Sequence, residues 1–261
     1  MQTYPRPPIK LFYYLLFISL LSFYSASAVS QQSAVISVYT GPRSLNGAVK
    51  DPDNRDSSNP TQLFVDAMLR EAELEYTFSI IPWSRAQLLA QSEANVLIYA
   101  MLRTEQREDL YEWIGVLYPA ELYLYALKGK LDDPPETLEE ASQFRIGLAR
   151  RSAADNLFTS LGFTKLVYAG NPTRSPILLE RGRVDLWPMT RQEALGITRD
   201  YGLDDDALIP LVKLEAISSE TNLVISKRTD PLIIERLRSA YGRLVEDGTH
   251  ARLLGAGSRP N

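Results

Sequence analysis

Read for hydrophobic and polar positions, the chain alternates between two periods. "SAVISVYTGP" has the period-two alternation of a strand and ends in a Gly-Pro turn. Asn59 followed by Pro60 predicts a helix start, a cap and then a first-turn proline. "TQLFVDAMLREAE" follows, with Leu63, Phe64, Ala67 and Met68 expected on one face. "LEYTFSIIPW" reads as a strand, "SRAQLLAQSEA" as a short helix and "NVLIYA" as a buried strand. Between the first strand and helix, "LNGAVKDPDNRDSSNP" is rich in turn formers and reads as a loop.

The alternation resumes after "YPAELYLYALKG". "FRIGLAR", "TKLVYAG", "RVDLWPM" and "ALIPLVKLEA" read as strands. "SAADNLFTSLG", "RSPILLERG" and "TRQEALGITRDYG" read as helices. The last block is one strand from Asn222 to Ser226 and then helix, with Leu232, Ile233, Leu237, Tyr241 and Leu244 at helical spacing. Strands separated by helices favour an α/β sheet covered on both faces. There are two such blocks, and periodicity alone does not say which of them takes the last strand and helix.

The N-terminus reads as an address. Arg6 and Lys10 precede the apolar run Leu11–Tyr24, and "SASA" ends at Ala28 in an A-x-A pattern. This is the layout of a secretory signal peptide. The run is shorter than the ~20 residues of a bilayer-spanning helix. Cleavage after Ala28 is expected, a retained signal anchor being the alternative. It would remove two cations and no acid, making the net charge more negative than the −4 of the full 261 residues. No basic block is present, which argues against nucleic acid as a partner. The chain has no cysteine, so disulfides, thiolate catalysis and cysteine-held zinc are excluded. An exported chain of this kind must fold on its core alone, and 45% hydrophobic residues suffice for that.

The strand "NVLIYA" breaks off at "RTEQRE", where Arg103 and Arg107 stand among acids. Two readings are open: surface ion pairing, and capture of an anionic ligand. For Arg103 the expected partner is Glu105 or Glu112.

At these residues the chain resembles the family 3 extracellular solute-binding proteins, similar to the binding proteins of polar amino-acid ABC transporters. The resemblance spans roughly Ala34 to Ala256 and rests on the order of "ISVYTGP", "IIPWSRAQ", "RTEQRE", "FRIGLARRSAADNLF", "GRVDLW" and the closing "SKRTDPLIIERLRSAYGRLVEDGTHARLL". It implies an α/β, two-lobed periplasmic binding protein type II fold with two hinge crossings, near Tyr118–Leu122 and Ala216–Asn222. Lobe one would be residues 29–120 plus 220–261, and lobe two residues 121–219. It further implies a small anionic ligand, no cofactor, an inner-membrane permease as partner, a periplasmic location and a monomer.

For the site, the resemblance implies that Arg107, in "TEQR", forks onto a ligand carboxylate. A planar guanidinium suits that role because it gives two parallel charge-assisted bonds. Ala100 and Leu102 would offer backbone groups, and Trp83 would lie over the ligand. Thr40 and Gly41 end the first strand, where α/β sheets present ligands. Ser152 would bring a helix N-terminus, whose free amides favour negative charge. Arg150 and Arg151 add positive charge nearby. The chain departs from the resemblance at Thr190, where amino-acid binders usually carry an acid for the ligand ammonium. An unpaired buried ammonium is costly, so a carboxylate without an amino group gains weight. Glu193 is a possible substitute, and Asp185 reads as structural. Two other classes stay open: an exported dehydratase-like enzyme on the same fold, and a sensory protein partnering a receptor kinase. His250, the lone histidine, reads as an exposed helix residue and not as a catalyst.

Overall fold

The computed structural model describes residues 35–42, 59–171 and 174–255. The signal-peptide reading of residues 1–28 and most of the polar loop before Asn59 lie outside the described residues. Among the described residues, no helix is long and apolar enough to cross a membrane.

The first sheet begins as a parallel unit. Strands β1 (Ile36–Thr40), β2 (Tyr76–Ile80) and β3 (Val96–Leu102) pair in parallel with β1 in the middle. Helices α1 (Pro60–Glu71) and α2 (Trp83–Ser92) make the crossovers. The Asn59 side chain accepts the amide of Thr61 at 2.9 Å and Pro60 takes the first turn, as the sequence predicts. The buried face of α1 is Phe64, Val65, Met68 and Leu69, whereas Leu63 is exposed. Helix α1 packs on one sheet face and α2 on the other, which leaves β3 buried through Met101.

The last strand belongs to this sheet. Strand β10 (Ser219–Ser226) lies antiparallel between β3 and β4 (Tyr111–Ala120), giving the order β2-β1-β3-β10-β4. Helix α7 (Pro231–Glu246) packs Ile234, Leu237, Ala240 and Leu244 into the same core as α1, with Leu232 turned to solvent. His250, on α8 (Thr249–Leu254), corrects the sequence reading. It is half-buried, its Nε2 lies 2.9 Å from the Val116 carbonyl, and its ring stands edge-on to Phe64 and Tyr241. The aromatic contacts give it a packing role that helical periodicity did not reveal.

The second layer centres on β5 (Leu122–Leu127), antiparallel to β8 (Trp187–Thr190) and β9 (Leu208–Lys213). The parallel pair β6 (Ile146–Leu148) and β7 (Leu166–Tyr168) joins it through a bridge from Ile146 to Leu186. Helices α3 (Leu138–Ala141), α4 (Ala153–Ser160), α5 (Ser175–Glu180) and α6 (Arg191–Tyr201) cover it. At Gly147 a Cβ would lie 2.1 Å from Cε3 of Trp187, so the indole packs where any other residue would collide. Asp185 holds Arg145 through its backbone amide at 2.7 Å and its guanidinium at 2.9 and 2.6 Å, fixing the turn before β8.

Two strand connections link the layers. Only Glu121 separates β4 from β5, and β9 returns through a short 3-10 turn, Glu215–Ile217, into β10. The two crossings are tied together: Ser218 Oγ accepts the Leu122 amide at 2.9 Å, and the Leu122 carbonyl accepts the Leu214 amide at 2.8 Å.

Candidate functional site

Arg107 sits on a 3-10 helix, Glu105–Leu110, directly after β3, with its amide donating to Thr104 at 2.9 Å. Its side chain is 3% exposed, which rejects the surface-pairing reading. Nη1 donates to the Leu102 carbonyl at 3.0 Å, fixing the plane of the guanidinium against its own strand. Nη2 donates to the Arg151 carbonyl at 2.9 Å, on the opposite layer. Arg103 behaves otherwise. It is exposed, pairs with Glu108 and stacks over Trp113 at 4.9 Å, so neither Glu105 nor Glu112 is its partner. The spacing of five residues brings Glu108 round the tight turn beneath it.

Two backbone conformations shape the surroundings. Ala100 has φ of 59° inside β3, where the pairing with β10 slips between Asn222 and Val224. An L-residue in the left-handed region is unusual and marks an irregular strand at the cleft wall. Arg151 also has φ of 59°. This turn presents its carbonyl to Arg107 and also to Gln87 Nε2, at 2.9 Å from α2. Asp155 secures the turn by accepting the Arg151 amide at 2.7 Å. The Arg150 guanidinium is stacked on Tyr168 at 4.3 Å, away from the cavity lining.

Between the layers is a cavity of about 110 Å³. Of the residues singled out in the sequence, Gly41, Trp83, Ala100, Leu102, Arg107, Ser152 and Thr190 line it. Thr40 does not; it is buried beside Gly41, and its Oγ1 has no hydrogen-bond partner among the described residues. Trp83 opens α2 and is 8% exposed, packed against Ala86, Met101 and Tyr111. Gly41 runs under it, since a Cβ there would touch the indole at 3.4 Å.

From the other layer, Ser152 caps α4 by accepting the Asp155 amide at 3.0 Å. Thr190 caps α6 in a reciprocal box. Its Oγ1 accepts the Glu193 amide at 3.2 Å, while the Glu193 carboxylate takes the Thr190 amide at 2.9 Å and its hydroxyl at 3.1 Å. The T-x-x-E spacing carries this signal. Two helix N-termini, each with the positive end of its dipole, therefore border the cavity opposite Arg107. Sequence reading missed Leu122, Trp187, Met189, Ile197 and Thr221, which complete much of the wall. Their strand positions are legible, but not which strand end opens onto a cleft.

Charge and burial leave a trace on two tyrosines. Burial pushes the Tyr111 hydroxyl up, against the opposing effects of a hydrogen bond from Gln91 and the charges of Arg107 and Arg151. Tyr125 is pushed up to about 12, chiefly by burial, with Arg191 opposing and Tyr123 and Glu193 reinforcing.

No protein-family model matches the chain, and no curated protein matches it in sequence. Solved structures do. A histidine kinase sensor domain with similarity to periplasmic binding proteins superposes with a TM-score of 0.72 at 15% identity, covering 86% of this chain and 96% of its own. The fold is that of the periplasmic binding proteins. A mutant of ArgBP from T. maritima has a TM-score of 0.71 at 16% identity, with 87% and 96% covered. The arginine-, lysine-, histidine-binding protein ArtJ from Geobacillus stearothermophilus follows at 0.69 and 14%, with 87% and 97% covered. The periplasmic-binding-protein architecture expected from the sequence, α/β and two-lobed, is thus present. The neighbours named are binding proteins and a sensor domain, not enzymes.

Proposed function

We propose that the chain is an exported solute-binding protein that closes two lobes over a small carboxylate-bearing solute and presents it to a membrane permease. The observation that carries this reading is the buried Arg107 at the wall of a cavity between two layers. Burial of a guanidinium costs free energy unless its donors are used, and its fork matches a carboxylate. In this reading the solute takes over the Nη2 donor now given to Arg151, and the helix ends at Ser152 and Thr190 add favourable potential from the other side. Ala100 and Leu102 supply backbone groups, Trp83 and Gly41 form the lid over the solute, and Thr40 holds the end of β1. The lobes are residues 29–120 plus 220–261 and residues 121–219, hinged at the two crossings. The chain works as a monomer in the periplasm after cleavage at Ala28, without cofactor or catalysis.

A second reading has the closed form recognised by a receptor kinase instead of a permease, and the sensor-domain neighbour favours keeping it. The test is a thermal-stability screen of the purified chain against amino acids, carboxylates and oxo acids, with intact mass establishing its N-terminus. A ligand at about 100 times its Kd stabilises by about 2.7 kcal/mol, or roughly 5–10 °C for a chain of this size. Absence of a shift with every acid overturns the reading. Co-purification with a permease or with a kinase separates the two partners.

A further inference from the structure

We propose that the solute is a monocarboxylate with an apolar body and no ammonium group. The inference rests on the solute-binding reading above and names the class of its ligand. Among the described residues lining the cavity, Arg107 is the single cation and Glu193 the single acid. A zwitterion would need Glu193 to face its ammonium. Glu193 is instead committed to the start of α6, where one carboxylate oxygen takes both the amide and the hydroxyl of Thr190. Its charge is balanced there by the helix it caps. An ammonium beside it would also meet the positive ends of α4 and α6, and it would exchange its water for a carboxylate already engaged in the Thr190 cap. Thr190 itself is spent on the same cap and offers no charge.

The rest of the wall says what the body of the solute is. Trp83 and Leu102 on one side, and Leu122, Trp187, Met189 and Ile197 on the other, are apolar, with the hydroxyls of Ser152, Thr190 and Thr221 between them. Trp187 is held rigidly because its ring packs on the bare backbone of Gly147. A flat or branched hydrocarbon group is therefore buried between two indole-bearing walls, while its carboxylate meets Arg107. A dicarboxylate or a sugar acid would leave polar groups without partners on these surfaces.

Matched pairs differing only at the α-carbon test this: phenylpyruvate and phenyllactate against phenylalanine, and ketoisocaproate against leucine, titrated calorimetrically into the full chain. The oxo or hydroxy acid is expected to bind at least ~10-fold more tightly than its amino acid, given the cost of an unpaired ammonium. Glu193→Gln retains the cap, because glutamine also serves in a capping box. Removing a negative charge near an anion should then tighten the oxo acid by about two- to five-fold. Tighter binding of phenylalanine or leucine than of the partner acid, with loss on Glu193→Gln, overturns the proposal. So does binding of succinate or citrate in preference to all the pairs, which would leave the solute-binding reading standing. If no acid of any class binds, both readings fall together.

Discussion

The Arg107 guanidinium donates through Nη2 to the Arg151 carbonyl at 2.9 Å, joining the two layers across the cavity. Gln87 donates to the same oxygen from a different element of the first layer. One carbonyl, turned inward by a left-handed residue, thus collects two donors across the cleft. A carboxylate arriving at Arg107 exchanges one of these bonds for a stronger charge-assisted pair, while the Gln87 bond stays in place.

Gln87→Leu should therefore weaken binding without touching the solute. Loss of one cross-layer hydrogen bond, about 1 kcal/mol, lowers the closed fraction and with it the apparent affinity by roughly three- to ten-fold. Small-angle scattering of the unliganded variant should give a larger radius of gyration than wild type. Unchanged affinity and radius would show that Gln87 contributes nothing to closure.

Gly147→Ala should destabilise the protein by about 1–3 kcal/mol, the range for overpacking, because the new Cβ meets the Trp187 ring at 2.1 Å. The ring it displaces is that of Trp187, which lines the cavity, so tryptophan emission should change as well. Equal denaturant midpoints would contradict the packing described.

Acid should weaken the turn held by Asp185. Burial alone would raise this carboxyl, but side-chain and backbone hydrogen bonds from Arg145, with its charge, hold it below the usual 3.8. A depressed folded pKa contributes stability that is present above about pH 4 and lost as pH falls through the lower folded value. Asp185→Asn should cost roughly 1–2 kcal/mol near neutrality and flatten the stability profile below pH 4. A variant with the wild-type profile would show that the pair adds nothing.

The alkaline side is set partly by Tyr125. Its folded pKa, pushed up to about 12 from 10.0, means that the stability it contributes is intact below pH 10 and lost between about pH 10 and 12. Tyr125→Phe should soften that loss, and the wild-type tyrosinate absorbance should include a late-titrating contribution that the variant lacks. Simultaneous titration of every tyrosine near pH 10 would contradict the burial seen here.

Much of the fold was legible because its signals are local. The Asn59–Pro60 start, the caps at Ser152 and Thr190, and the period of each strand are set by neighbours within a turn or two. The crossing strands β4 and β5 were read only as a joint, since both are partly exposed and no turn residue separates them. The home of β10 depends on pairing with residues about a hundred positions away, which no local pattern encodes. In the site, Arg107 could be singled out from its place after a buried strand. Gln87 could not, because its partner is a carbonyl of the left-handed turn residue Arg151, 64 positions away. His250 misled for the same reason: its surroundings are assembled from α1, β4 and α7.

The most direct test of the account compares wild type with Arg107→Lys in the same panel of carboxylates, by thermal shift and then by calorimetry. Lysine keeps the charge but loses the fork, and hydrogen bonds to charged groups contribute about 1.5–3 kcal/mol. The account predicts that at least one carboxylate stabilises wild type and binds the variant roughly 10- to 100-fold more weakly, with the variant folded. If the variant binds that acid as tightly as wild type, Arg107 is not where this protein holds its ligand.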